Sequence, residues 1–147
     1  MIFRQLDFSN PTEVRAVAKI HVISPGEWDP AHKFSEEGIA NYAKWLGEKK
    51  TQLWCELAVA GDEIKAMHLL VLNDSKAVAT ILSLWVSEDC RRQGVASRMK
   101  LAGEEWVKSL GLNKLTSSVY VANKKMQTLN EKLGFKPVKI EYEKLLS

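Results

Sequence analysis

Residues 84–97, Leu84-Trp85-Val86-Ser87-Glu88-Asp89-Cys90-Arg91-Arg92-Gln93-Gly94-Val95-Ala96-Ser97, set two arginines and a glycine where a strand-like run gives way to a helical pattern. A helix start leaves backbone N–H groups without intrahelical partners and carries the positive end of the macrodipole, so it attracts anions. Gly94 and Ala96 keep side-chain bulk off that backbone, which lets a diphosphate approach it, and Arg91 and Arg92 add positive charge. By themselves, two arginines at a helix start describe a solvated charged loop equally well. The familiar phosphate loops are excluded, because neither Gly-Lys-Ser/Thr nor Gly-x-Gly-x-x-Gly occurs in the required place. His21, His32 and His68 show no metal-ligand spacing, and Cys55 and Cys90 cannot build a disulfide framework.

The elements that must position this segment follow from periodicity. After a strand over Ile2 to Phe8, Asn10-Pro11-Thr12-Glu13 reads as a capped helix start, with Val14, Val17, Ala18 and His21 on one face and Pro25-Gly26 ending it. Ser35 caps a second helix, whose face carries Ile39, Tyr42, Ala43 and Leu46. Leu53 to Val59, Ile64 to Leu72 and Ala77 to Val86 form an antiparallel meander broken at Gly61-Asp62 and Asn73-Asp74. A loop over Ser87 to Cys90 leads to a helix over Gly94 to Leu110, with Val95, Met99, Ala102, Trp106 and Leu110 inward and Gly111 closing it. A strand over Leu115 to Val121, a helix capped by Asn123 and closed by Gly134, and a final strand over Val138 to Leu145 complete the order β-α-α-β-β-β-α-β-α-β. This is one α+β domain over residues 1–147, with a mixed, mostly antiparallel sheet flanked by helices.

At 147 residues, 46% hydrophobic and 27% charged, the chain can bury one core. No apolar run reaches the ~18 residues of a membrane span, and the N-terminal MIFRQLDF lacks the pattern of a signal peptide, so a soluble, cytoplasmic protein is expected. The net charge of +3 does not by itself suggest a nucleic-acid binder. Its distribution is uneven, with a balance of −2 over residues 1–73 and +5 over residues 74–147, which assigns any anion to the second half.

Arg91, Gly94 and Ala96 match the Arg/Gln-x-x-Gly-x-Gly/Ala signature, so the segment resembles the acetyl-CoA site of the GNAT superfamily of N-acetyltransferases. The resemblance extends through Leu84-x-Val86, Asn123 and Leu129-x-Glu131-Lys132-x-Gly134-Phe135, and covers about residues 77–140. It implies a GNAT-like fold and acetyl-CoA as co-substrate. The pantetheine arm would bond to backbone groups of Trp85 and Val86, and the pyrophosphate would meet the N–H groups of Arg92, Gln93, Gly94, Val95, Ala96 and Ser97. Asn123 and Asn130 would lie beside the cofactor, although Asn123 is also a plain N-cap. A homodimer is the family's habit.

The tyrosine that the family places before Glu-Lys is Asn130 here, which can donate a hydrogen bond but cannot give up a proton. Positions where relatives carry a basic glutamate fall at Thr80 and Ser118. If Val119 and Val121 face the core, Ser118 and Tyr120 share the other face, and these two become the catalytic candidates, with Tyr120 as the acid and Ser118 positioning a water. Glu56 is a weaker candidate for the base. The loop from Ser24 to Phe34 offers Glu27, Trp28 and Asp29 to a cationic amine of a small molecule or peptide, or is simply a solvated turn. The expected reaction is direct acetyl transfer in a ternary complex. The alternatives are a silent acyl-CoA-binding or regulatory module and, from the basic half, a nucleic-acid-binding domain.

Overall fold

The computed structural model describes residues 1–147. β1 (Ile2–Gln5), β2 (Leu53–Ala60), β3 (Glu63–Leu72), β4 (Ala79–Val86) and β5 (Leu115–Ser117) form one sheet in the order β1-β2-β3-β4-β5. The first three pairings are antiparallel and β4–β5 is parallel. Between them run α1 (Pro11–Ile23), α2 (Glu36–Glu48), α3 (Val95–Ser109) and α4 (Lys124–Lys132).

The helices begin where their caps dictate. Asn10 Oδ1 accepts the Glu13 N–H at 3.2 Å with Pro11 in the first helical position, and Ser35 Oγ accepts the Gly38 N–H at 3.0 Å. Glu13 turns to Arg4 at 2.7 Å and to the Asp7 N–H at 3.0 Å, so its carboxylate ties β1 to α1.

Both faces of the sheet are covered. Alternation sends Cys55, Leu57, Val59, Met67 and Leu69 into a cluster with Val14, Val17, Ala18, Ile39 and Leu46 of α1 and α2. The other register, including Ala58, Ala66, Leu70 and Leu72, packs beneath Val95, Met99 and Val107 of α3. α3 comes close because Gly103 has no side chain. A Cβ there would meet His68 Nε2 at 3.1 Å and a Leu70 methyl at 3.3 Å. The buried stripe of α3 is therefore Val95, Met99, Gly103 and Val107, one position off the expected Ala102, Trp106 and Leu110, and Leu110 is exposed.

Four expected strands differ. β1 ends at Gln5, short of the expected Phe8. β4 begins at Ala79 because Asn73 Oδ1 accepts the N–H groups of Ala77 and Val78 and holds them in the preceding turn. β5 stops at Ser117, since the carbonyls of Tyr120 and Val121 are taken by Gln127 Nε2 at 3.2 and 3.0 Å. The alternation assumed for Ser118 and Tyr120 fails with it, and Val121 is exposed rather than in the core. No strand forms over Val138 to Leu145, where Val138, Ile140, Tyr142 and Leu145 stand in solvent.

His68 is fully buried, its Nδ1 paired with the Ser83 carbonyl at 3.1 Å, and desolvation lowers its pKa to about 3. Below its ordinary value of 6.5 the unfolded chain takes up a proton that the folded ring refuses, so stability falls as pH drops from 6.5 toward 3. At about 1.4 kcal/mol per pH unit, this group accounts for roughly 2 kcal/mol of the loss between pH 7 and pH 5. His68→Leu is expected to shrink that difference by a similar amount, measured by urea unfolding at the two pH values.

Candidate active site

β4 and β5 stay together only over Ala79–Ile81 and Leu115–Ser117, yet β4 runs on to Val86. On its other side β4 carries a bulge, because Ile81 faces Leu70 and Ser83 faces Leu69, leaving Leu82 without a partner. The edge of β4 that faces away from β3 is thus open from Leu82 to Val86, and a fork separates it from the chain leaving β5.

The helix start stands at the mouth of this fork. The turn before α3 holds Arg92 at φ +64° and Gly94 at φ +77°, both left-handed. No backbone carbonyl accepts the N–H groups of Arg92 to Ser97, and the N-cap Gly94 has no side chain to satisfy them. Five of these six residues, all but Gln93, line a cavity of about 770 Å³ bounded by twenty residues. Arg91, Arg92, Lys124, Lys125 and Lys132 give that lining five cations against a single carboxylate, Glu27. The set fits a polyanion with an extended apolar arm, which is the form of coenzyme A.

Trp85, Val86, Arg91, Arg92, Gly94, Val95, Ala96, Ser97 and Asn123, expected at the cofactor, all line the cavity. Arg91 is committed within the protein, its Nε donating to the Val86 carbonyl at 2.8 Å and its terminal nitrogen paired with Glu27 at 2.6 Å. Asn123 does cap α4, accepting the Met126 N–H at 3.3 Å. Gln93 lies outside the lining and donates to the Asp89 carbonyl at 3.4 Å. Asn130 is buried outside it, accepting from Lys100 Nζ at 2.6 Å and donating to Ser117 Oγ at 3.3 Å. Burial lowers the Lys100 pKa to about 8, and its ammonium also lies 4.6 Å from the centre of the Phe135 ring.

The acceptor loop is only partly as expected. Glu27 spends both carboxylate oxygens within the protein, one on Arg91 and one on the Trp85 indole N–H at 3.0 Å, so it is not a free counter-charge. Asp29 closes its own turn by accepting the Ala31 N–H at 3.0 Å and is absent from the lining. Trp28 does line the cavity, and its ring packs at a tilt against Tyr120 with centroids 5.3 Å apart. Tyr120 is 74% exposed with its hydroxyl unbonded, and exposed Ser118 lies beyond the end of β5; neither of these two candidates lines the cavity. Glu56 sits half-buried beneath α3, where desolvation raises its pKa, and it does not reach the cavity. Sequence reasoning missed Lys124 and Lys125, which left a signal. Cations in the first turn of a helix oppose its dipole, an arrangement that a bound anion relieves.

The family model of the acetyltransferase (GNAT) family matches residues 16–135. The chain belongs to the GNAT family. Among curated GNAT relatives, an aminoglycoside N(6')-acetyltransferase type 1 of Serratia marcescens is 37% identical over 62 residues, and the match spans 42% of this chain and 42% of that protein. A predicted acetyltransferase of Clostridium acetobutylicum, solved with acetyl-CoA, superposes with a TM-score of 0.78 at 15% identity, covering 99% of this chain and 95% of the other. The structure of AAC(6')-Iy with the bisubstrate analogue CoA-S-monomethyl-acetylneamine superposes with a TM-score of 0.71 at 19% identity, covering 99% and 98% of the two chains. At these identities the structural likeness establishes the fold, and with it the expected GNAT arrangement of a mixed sheet flanked by helices.

Nothing lies within 4 Å of where a Gly94 Cβ would stand, so a side chain there has room. Gly94→Glu puts a carboxylate among the six free donors and is expected to reduce CoA affinity at least about 100-fold by calorimetry. The left-handed backbone costs any L-residue about 1–2 kcal/mol, so Gly94→Asn, which tolerates that conformation, serves as the control and retains binding.

Proposed function

We propose that this protein is an acetyl-CoA-dependent N-acetyltransferase whose acceptor is the primary amine of a small molecule. The observation that carries the reading is the meeting of five residues with unpaired N–H groups and five cations in the lining of a cavity beside the open edge of β4. The aminoglycoside acetyltransferase relative supports a small amine acceptor over a protein tail, as does the analogue-bound neighbour.

Acetyl-CoA supplies an activated thioester, and the chain's part is to bind, orient and exclude water. The N–H groups of Arg92 to Ser97 hold the pyrophosphate, and the open edge of β4 receives the pantetheine. Trp28 gives the acceptor an aromatic wall. Transfer is direct. Cys55 is buried with its thiol pKa pushed up, and no hydrogen bond joins the Cys90 thiol to a base, so neither is an activated nucleophile. In the ternary complex orientation supplies much of the rate, with Tyr120 as proton donor to the departing thiolate and Ser118 positioning a water.

A panel of primary amines assayed for CoA release tests the activity. Retention of acetyl-CoA without release would instead support a silent binding module. With the best amine, intersecting initial-rate patterns are expected for the ternary complex. Trp28→Ala should raise the amine KM about 10-fold with kcat nearly kept, while Tyr120→Phe should lower kcat by about 100-fold with the acetyl-CoA KM unchanged.

The only carboxylate in the lining is paired with Arg91, so no enzyme base is free to deprotonate the amine. We expect kcat/KM to rise tenfold per pH unit and to level off at the acceptor's own pKa. Two acceptors of different basicity should then break at two different pH values, whereas a shared break would reveal an enzyme base.

A further inference from the structure

The donors before and within the first turn of α3, with Arg92, answer a diphosphate, and they leave part of the charge in the cavity unexplained. Of the five cations in the lining, Arg91 is spent on Glu27 and the Val86 carbonyl. Arg92, Lys124, Lys125 and Lys132 make no ion pair, and the lining holds no free carboxylate to balance them. Outside the loop before α3, every unspent cation of the lining therefore lies on α4.

That arrangement costs the protein stability. Lys124 and Lys125 are the first two residues of α4, where the helix dipole is already positive, and no acidic residue in that turn offsets them. The Lys125 N–H has no backbone acceptor either. Lys132 follows Lys125 by seven residues, two turns or about 10 Å along the axis, so the charge is densest at the helix start.

Coenzyme A carries a second anionic group besides its diphosphate. Its 3′-phosphate is a monoester with a charge of about −1.5 to −2 at pH 7, attached to the same ribose that bears the diphosphate. Where α3 holds the diphosphate, the monoester is close by, and two adjacent ammonium groups at a helix start suit a dianion. We propose that Lys124 and Lys125 form a subsite for this phosphate monoester, so that the protein discriminates coenzyme A from its dephospho form. The inference rests on the acetyl-CoA reading and extends it to residues outside the Arg91–Ala96 signature.

Calorimetry with CoA and with dephospho-CoA tests it. The parent is expected to bind CoA about 30-fold more tightly than dephospho-CoA, and the ratio should contract as salt rises from about 0.05 to 0.5 M. Lys124→Gln/Lys125→Gln should bring the two affinities within about 3-fold by weakening CoA alone, and Lys124→Glu/Lys125→Glu should make dephospho-CoA the tighter ligand. Both positions are exposed. Acids also suit the first turn of a helix, so the Glu variant is expected to fold and, without ligand, to melt about 2–4 °C above the parent. Equal affinities of the parent for CoA and dephospho-CoA overturn the proposal. Equal weakening of both ligands by the substitutions also overturns it, because the lysines would then serve the diphosphate. Binding of neither ligand by the parent is a different failure, that of the acetyl-CoA reading itself, and takes this inference with it.

Discussion

The cleft depends on one constraint, that β5 pairs with β4 for only three residues before the two part. A backbone edge left open in this way must find partners, because buried N–H and C=O groups without them are costly. β4 meets part of that need through the Arg91 side chain on the Val86 carbonyl and leaves the remainder to whatever enters the fork. The first turn of α3 presents a second set of unmet donors to the same space. The donors offered to this space thus belong largely to the main chain. A side chain must be absent at Gly103, where a Cβ would meet His68 and Leu70 and hold α3 off the sheet.

Electrostatics refine this scaffold. The cations of the lining are held by separate elements, Arg91 and Arg92 before α3 and three lysines on α4, so an anion between them would draw the two helices into one unit. Glu27 works in the opposite sense. By sharing its carboxylate between Arg91 and Trp85 it removes one of those charges from the pool and joins the turn after α1 to the end of β4. The Trp28 and Tyr120 rings add an aromatic contact across the same opening.

The elements legible in the sequence were those with local causes. Asn10, Ser35, Gly94 and Asn123 marked helix starts because capping is settled within three or four residues, and the meander showed itself by its period. Features decided at a distance were hidden. β5 stops early because Gln127, from the following helix, captures two of its downstream carbonyls. Lys100 reads as a surface residue on a helix, and only the meeting of α3 with α4 buries it against Asn130 and Phe135. Glu27 looked free to greet a cation because its true partners lie 58 and 64 residues away. The motif itself was readable for a physical reason, since a helix start that binds an anion needs small residues at fixed offsets.

The bond from the Trp85 indole to Glu27 also has an optical side. Indole emission responds to charge and to hydrogen bonding at the ring nitrogen. This indole donates to a carboxylate that is shared with a guanidinium of the phosphate-facing loop. An anion that draws Arg91 toward itself redistributes the charge on Glu27 and so changes the field at the ring. Trp54 and Trp106 stack on each other with centroids 6.1 Å apart, away from the cavity lining, and contribute a steady background. Trp85 and Trp28, which both line the cavity, are the two indoles placed to sense a charge entering it.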